Sequence, residues 1–322
     1  MGEVAMDRTQ TSRVEAILRE ELAREDRALL GVAPVISHLL ASSGHSLVSD
    51  AIVARLRGML SDIARQLLET ASRGSTGRRA PDAPAELQAV DRLADELAME
   101  SAILNHLYAL AMEGHLTQRL EQRSSLDPVL SPLLQELIAS DQPAIAELAM
   151  NTLAAQSRFV QGQRRMELPL GELPAELFLA AIGRFEATLD ESAGNGPALS
   201  LATLKQDYNE AASRLGLLAR LVSAMKGGAV AALELDHAGF ALFATALGGL
   251  TRQSRDLAVL ACHERQSARL ALSLRAAGQE ADAIERQFLL VEQAEMLPLG
   301  ISQMPPERAL ALLASSTSQT SV

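Results

Sequence analysis

Apolar side chains recur every three or four residues along most of this chain, which is the spacing that places them on one face of an α-helix. The clearest stripe consists of Ile52, Leu56, Leu60, Ile63 and Leu67. Residues that favour helices, such as Ala, Leu, Arg, Glu and Gln, are frequent, whereas alternating runs of Val, Ile, Thr and aromatic residues do not occur. The pattern therefore predicts an all-α protein.

Capping residues and helix breakers divide this pattern into about eleven predicted helices. Ser12 and Glu15 form a Ser-x-x-Glu capping box in the first helix, which Gly31 ends. Shorter segments are predicted over 35–41 and 116–123. The main predicted helices cover 12–30, 47–71, 85–111, 127–138, 144–159, 173–189, 199–225, 236–250, 254–277, 281–291 and 306–314.

Turn-forming residues mark the boundaries between predicted regions. Residues 73–84 are rich in Gly, Pro, Ser, Thr and Arg, so they are predicted to form a flexible linker. Near residue 140, Asp141 can cap the following helix and Pro143 can occupy its first turn, which is typical of a helical hairpin. We expect an N-terminal bundle-like region, middle HEAT-like hairpins, a C-terminal helical region and a disordered tail, over 1–72, 85–189, 199–314 and 315–322 respectively.

The charge balance narrows the classes of partner. The chain has 29 basic and 40 acidic side chains and a formal net charge of −11, and its only lysines are Lys205 and Lys226. A protein that neutralises phosphates along a nucleic acid needs clustered positive charge, so no nucleic-acid partner is expected. Aromatic residues make up 2% of the chain, which leaves few surfaces on which bases could stack.

The compartment is predicted from cysteine usage and from the apolar segments. Cys262 is the only cysteine, so neither an internal disulfide nor a thiolate cluster can form. The longest uncharged apolar-rich stretch, 238–251, is shorter than the ~18 residues typical of a membrane span. The first ten residues lack the apolar segment of a signal peptide. We expect a cytoplasmic protein with no membrane partner.

Three segments carry a family resemblance. They are Asp-Gln-Pro-Ala-Ile-Ala-Glu over 141–147, Leu-Pro-Ala-Glu-Leu-Phe over 173–178, and Arg-Asp-Leu-Ala-Val-Leu-Ala-Cys-His-Glu-Arg-Gln over 255–266. In these segments the chain resembles an alphaproteobacterial helical domain family of unknown function, over roughly residues 85–300. The resemblance implies HEAT-like helices and an intracellular bacterial setting, and it brings no established catalytic residues.

Motifs that carry enzyme chemistry do not occur in the sequence. Phosphate loops, dinucleotide-binding turns, His-Glu-x-x-His and Gly-x-Ser-x-Gly are all missing. His106 and His115 lie nine residues apart with Glu113 between them, whereas helical metal sites use ligands three or four residues apart. Cys262 is interpreted as a small buried apolar residue. The prediction is therefore a non-enzyme with no cofactor and no metal.

His263 and Glu264 form the one pair that resembles a signalling motif, the phosphoacceptor box of histidine kinases. At about 100° of rotation per residue, His263 falls on the helix face that carries Leu270 and Leu274, and this favours a hydrogen-bonded histidine in the packing surface. The proline that usually follows such a box is missing. Phosphorylation of His263 stays open as the alternative.

Arginine clusters are the other candidate contacts. Arg73, Arg78 and Arg79 in the predicted linker and Arg164 with Arg165 could grip a phosphate or an acidic partner, because guanidinium groups pair with planar anions. The alternative is that these side chains only solvate loops.

A glycine pair is the last candidate for anion contact. Lys226 is followed by Gly227 and Gly228, whose backbone amides could approach an anion. The favoured interpretation is a helix end in which a glycine adopts the left-handed conformation.

Together these observations predict a non-enzymatic helical scaffold or adaptor that binds other proteins, with bacterial signalling or regulation as its candidate process. A homodimer could form through the long helices predicted over 47–71 and 85–111. Two alternatives remain open: a phosphotransfer or anion-sensing protein that uses His263, and a helical carrier of an apolar ligand.

Overall fold

The structure is a computed structural model of the chain, and it describes residues 2–41, 50–73, 83–189, 195–263, 266–291, 297–298 and 300–317. These residues form fifteen α-helices and contain no strand, so the predicted all-α class is confirmed. The helices are α1 (Gly2–Leu30), α2 (Val32–Ala41), α3 (Asp50–Arg73), α4 (Ala83–Ala98), α5 (Ser101–Ser124), α6 (Pro132–Ile138), α7 (Pro143–Arg165), α8 (Ala175–Thr188), α9 (Gly196–Asp207), α10 (Arg214–Ala224), α11 (Leu235–Thr251), α12 (Arg255–Ala261), α13 (Ser267–Ala276), α14 (Ala281–Val291) and α15 (Pro306–Thr317).

The predicted count of about eleven helices is too low, because three of the main predicted helices are interrupted and the short segment predicted over 35–41 is a helix of its own, α2. The helix predicted over 85–111 is broken at Met99 and Glu100, and the one predicted over 199–225 contains a short 3₁₀ turn at Glu210–Ala212. The helix predicted over 254–277 is two helices, α12 and α13.

The first helix begins at Gly2, so the start predicted from the Ser12 capping box is wrong. Several other boundaries agree closely with the sequence pattern. Helix α14 has the predicted bounds, and α11 differs from its prediction by one residue at each end. Pro143 begins α7, as the turn chemistry predicts. Helix α5 passes through Gly114 without a break, so the separate helix predicted over 116–123 is wrong.

The chain forms two compact units that are not consecutive in sequence. Unit 1 comprises Met1–Val32, Met112–Ala149 and Leu221–Val322, and unit 2 comprises Ala33–Ala111 and Met150–Arg220. The division into consecutive regions and the HEAT-like arrangement stay predictions.

Within the described residues, no single helix is both long and apolar enough to cross a membrane, although α10 and the 3₁₀ segment Lys226–Leu233, bent by 115°, jointly meet those criteria.

Helix α13 lies at the centre of unit 1, where it packs against α1, α11, α12, α14 and α15. Glu25 of α1 caps it by accepting hydrogen bonds from the backbone N–H groups of Ala268 and Arg269, each at 3.0 Å. Burial of this carboxyl raises the pKa of Glu25 to about 7. The Arg269 guanidinium, which is fully buried, pairs with Asp26, and Asp26 also accepts a hydrogen bond from Ser316 of α15.

Two further arginines of unit 1 pair with carboxylates across helices. Arg308 donates to both carboxylate oxygens of Glu15 and holds the pKa of this carboxyl below its usual value. Arg255 donates to both oxygens of buried Glu113 at 2.7 Å each, and its Nε lies 2.9 Å from the Thr245 hydroxyl. These forks join α15 to α1, and α12 to α5 and α11.

Helix α3 plays the corresponding part in unit 2, where it packs against α4 and α9. Its buried Asp62 accepts the Leu168 N–H at 2.9 Å, while Gln66 bonds the Leu168 carbonyl at 3.0 Å and the Leu170 N–H at 2.9 Å. These bonds fix the chain that follows α7, and so they help to set the position of α7 in unit 2.

Candidate functional site: an arginine pocket in unit 2

An open pocket of about 350 Å³ lies in unit 2, and we call it the arginine pocket. It is formed by α7, by the 3₁₀ turn Glu210–Ala212 and by α10. Its lining residues are Asn151, Ala154, Arg158, Asn209, Ala211, Ala212, Leu217 and Arg220. Asn151, Ala154 and Arg158 are spaced three and four residues apart, so a regular helix places all three on one wall.

The 3₁₀ turn that forms the pocket floor is held by several local bonds. The Asn209 side chain accepts a hydrogen bond from the Ala211 N–H at 3.1 Å and so caps the turn. Tyr208, the preceding residue, stacks on Phe178 with 4.1 Å between the ring centroids. Its hydroxyl donates to the Leu173 carbonyl at 2.7 Å, and burial raises the pKa of Tyr208 to about 12, so the phenol keeps its proton at neutral pH.

Close contact between α10 and this turn depends on a glycine. A Cβ atom at Gly216 would lie 2.2 Å from the Glu210 carbonyl oxygen, a separation that no side chain can adopt without a shift of the backbone. The Gly216 N–H also donates to the Ser213 hydroxyl at 3.1 Å. The glycine therefore allows α10 to approach the turn, which brings Leu217 and Arg220 into the pocket wall.

A buried arginine links α10 to α7, the two helices that form the pocket walls. Arg214, the first residue of α10, is 1% exposed, and its guanidinium carbon lies 3.5 Å from the ring centroid of Phe159 on α7. One of its nitrogens donates to Gln156 Oε1 at 3.1 Å, and its backbone N–H donates to Glu172 at 2.7 Å. The pocket walls are thus fixed before any ligand arrives.

The two arginines that line the pocket differ from Arg214 because both are exposed. Arg220 donates to the Ala211 carbonyl at 3.2 Å, which places it over the 3₁₀ turn. Neither Arg158 nor Arg220 forms an ion pair with any residue that the structure describes, and no Asp or Glu lines the pocket. The arrangement concentrates two positive charges and several N–H donors at one concave surface of an acidic chain.

The arginines singled out from the sequence lie elsewhere. Arg73 ends α3, and Arg164 and Arg165 end α7. All three side chains are exposed. The Nη1 atom of Arg165 lies 3.8 Å from Oε2 of Glu167. None of them lines the arginine pocket. Residues 78 and 79 lie outside the described part of the chain.

His263 lies in the turn between α12 and α13, and not on a continuous helix as predicted. Its N–H donates to the Leu260 carbonyl and its own carbonyl accepts the Gln266 N–H, both at 3.0 Å, so backbone bonds define this turn. The residue is half-buried, and Glu264 lies outside the described residues. The helical rotation used to place His263 beside Leu270 and Leu274 therefore does not apply.

The structure also gives the positions of the candidate cysteine, the candidate metal ligands and the glycine pair. Cys262 is buried, and burial raises the pKa of its thiol to about 12. His106 is 2% exposed and His115 is half-buried, and no group of three His, Cys, Asp or Glu side chains suited to a metal occurs among the described residues. At the glycine pair, Lys226 itself adopts the left-handed conformation with φ 52°, so the predicted role of a glycine there is wrong.

Unit 1 has a second open groove, of about 530 Å³, between α15 and the turn that follows α11. It is lined by residues of both charges and by aliphatic side chains. Arg252 and Glu307 both contribute, so the groove has no excess charge of one sign. Its amide, Gln253, is already bonded to Arg269, Thr251 and Ser273. The arginine pocket is therefore the better defined candidate for ligand recognition.

Comparisons with models of protein families, with curated proteins and with solved structures gave no match to this chain.

Proposed function

We propose that this protein is a non-catalytic binding protein that recognises an anionic group of its ligand through the arginine pocket. The observation that carries the proposal is that Arg158 and Arg220 face one pocket with no carboxylate in its lining. Guanidinium groups form charge-assisted, bidentate hydrogen bonds with carboxylates and phosphates, and a pocket that holds two of them favours such a group.

The lining supports binding rather than turnover. Arginine stays protonated throughout the physiological range, so neither Arg158 nor Arg220 can act as a general base. The other lining side chains are asparagine, alanine and leucine, none of which is an ordinary nucleophile or proton donor–acceptor. The chemistry of this pocket is therefore hydrogen bonding and charge compensation.

The net charge of −11 means that the pocket can attract an anion only at short range. The chain as a whole repels anions at long range, whereas the two arginines attract them at contact distance. Recognition then depends on direct contact in the pocket, and it is sensitive to loss of either arginine. The predicted role as a scaffold or adaptor for other proteins is compatible with this proposal, because a partner protein can present the anionic group.

The test uses a pair of probes that differ in one charge. Acetyl-glutamate-amide and neutral acetyl-glutamine-amide are titrated into the full chain and followed by chemical-shift changes in the NMR spectrum. We expect the acid alone to shift signals of α7 and α10. Because a hydrogen bond to a charged group contributes about 1.5–3 kcal/mol, Arg158→Ala and Arg220→Ala should each weaken binding by about ten-fold or more.

Arg164→Ala is the matched control, because Arg164 is an exposed arginine of the same helix outside the pocket. Its affinity for the acid should equal that of the unmodified chain. Equal binding of the acid and the amide, or equal losses in all three variants, would refute the proposal.

A further inference from the structure

The charges of the arginine pocket point to a particular class of anion. Arg158 and Arg220 bring two positive charges, and no lining residue offsets them. A single carboxylate would compensate one of these charges and leave the other unpaired. A phosphate monoester carries about −1.5 to −2 charges at pH 7, so its charge matches the combined charge of the two guanidinium groups.

The free hydrogen-bonding groups of the pocket are mainly donors. The Oδ1 atom of Asn209 already accepts one hydrogen bond from the Ala211 N–H, and its amide nitrogen adds two donors to the pocket. Arg220 uses one nitrogen on the Ala211 carbonyl and keeps its other N–H groups. Arg158 donates to no described residue. A ligand group with three acceptor oxygens and no donor, as in a phosphate dianion, satisfies such a site.

The rest of the lining indicates which kind of chemical group carries the phosphate. Ala154, Ala211, Ala212 and Leu217 form aliphatic walls, and no aromatic side chain is present on which a base could stack. A volume of about 350 Å³ falls in the range of pockets for small organic groups. These features favour an aliphatic stem over a nucleotide.

We infer that the arginine pocket binds a phosphate monoester dianion on an aliphatic stem. This inference rests on the proposed anion recognition and specifies its ligand. Two sources present the same chemistry, namely a phosphorylated serine of a peptide and a small phosphate ester such as glycerol 3-phosphate.

Isothermal titration calorimetry of the full chain with matched probes tests the inference. Acetyl-phosphoserine-amide should bind about ten-fold more tightly than acetyl-glutamate-amide at pH 7.5, because it engages both arginines. Lowering the pH to 5.5 should weaken phosphate binding several-fold, because the second phosphate pKa is about 6. Binding of the carboxylate should not weaken to the same degree, since a glutamate side chain has an ordinary pKa of about 4.3 and stays mostly ionised at pH 5.5.

Two variants separate the effect of the planar guanidinium group from that of its charge. Arg158→Lys keeps the charge but removes the planar fork, and we expect it to weaken phosphate binding several-fold, whereas Arg164→Ala should leave binding unchanged. Equal, pH-independent binding of phosphate and carboxylate would overturn the phosphate inference and leave anion recognition standing. Failure of both anions to bind would overturn both proposals.

The source of the phosphate is decided by a third titration. A phosphoserine-containing heptapeptide that binds more tightly than glycerol 3-phosphate identifies a phosphorylated segment of a protein, because residues that flank the phosphate then add contacts. Equal or tighter binding of glycerol 3-phosphate identifies a small phosphate ester.

Discussion

Arginine has two different roles in this molecule, and a clear example of each lies in a different unit. In unit 1, Arg255, Arg269 and Arg308 each lie against a carboxylate of another helix, and their hydrogen bonds join distant parts of the chain. In unit 2, Arg158 and Arg220 lie in a pocket whose lining has no carboxylate. The comparison shows that some guanidinium groups of this acidic protein stabilise contacts between its helices, whereas others can bind a ligand.

The largest expected effect on stability concerns an arginine of unit 1 that pairs with a carboxylate. Glu113→Ala removes the partner of Arg255 and leaves a buried guanidinium charge without compensation by this carboxylate. Because an uncompensated buried charge is costly, we expect a loss of about 3–5 kcal/mol in the free energy of unfolding. Urea denaturation measures it. The control is Arg286→Ala, which breaks the exposed pair with Glu234 and should cost less than about 1 kcal/mol. Equal losses in the two variants would contradict the structural role of the buried pair.

A second effect arises from the carboxyl group that caps α13. The folded pKa of Glu25, about 7, exceeds its ordinary value of 4.5, so the folded state binds the extra proton. The contribution of Glu25 to stability is therefore fully favourable below pH 4.5 and falls as the pH rises to 7, by about 3 kcal/mol in total. The difference in unfolding free energy between the unmodified chain and Glu25→Gln, measured from pH 4.5 to 7.5, should show this decline.

Glu15 on the same helix provides the opposite control. The hydrogen bond from Arg308 lowers the pKa of Glu15, so its contribution to stability is present above pH 4.5 and is lost as the pH falls further. The corresponding difference for Glu15→Gln should therefore have the opposite slope at low pH. A pH-independent difference for Glu25→Gln would show that its carboxyl titrates normally.

A smaller effect concerns the wall of the arginine pocket. Gly216→Ala would force α10 away from the Glu210 carbonyl, and we expect a loss of about 1–3 kcal/mol together with weaker anion binding. Gly183→Ala on α8 is the control, because a Cβ atom there meets nothing within 4 Å and should stabilise the helix by about 0.5–1 kcal/mol. Thermal unfolding of both variants distinguishes the two cases, and a stabilised Gly216→Ala variant would contradict the close approach.

The smallest expected effect on stability concerns Arg158 in the arginine pocket. Arg158→Ala should change the free energy of unfolding by no more than about 0.5 kcal/mol, because this exposed side chain forms no ion pair with the described residues. Its effect on anion binding should nevertheless be about ten-fold. A destabilisation comparable to that of Glu113→Ala would mean that Arg158 belongs to the fold.

Local signals in the sequence predicted the elements that local chemistry controls. Pro143 and Pro306 begin the helices that they were expected to begin, and the apolar spacing gave α14 its bounds. The break at Met99 and Glu100 could not be read in the same way, because neither a glycine nor a proline marks it. Gly114 shows the reverse case, since packing of its buried neighbours outweighs the roughly 1 kcal/mol that a glycine costs a helix.

The arginine pocket depends on tertiary packing, so the sequence alone did not bring Arg158 and Arg220 together. One signal for them was nevertheless present. Neither residue has an acidic side chain three or four positions away, which is where a helix would place an ion-pair partner. The clusters at Arg73, Arg78 and Arg79 and at Arg164 and Arg165 consist of residues close together in sequence. Adjacency along a chain is a poor guide to convergence in space.

The stacked ring of Tyr208, the residue that precedes Asn209 of the pocket, has a practical consequence. The chain has no tryptophan and two tyrosines, so its intrinsic fluorescence comes from Tyr108 and Tyr208 alone. Tyr208 adjoins Asn209 of the pocket floor and shares its ring face with Phe178. Any occupant that moves the floor should change the emission of this ring, so Tyr108→Phe would turn the protein into an unlabelled optical sensor of its own ligand.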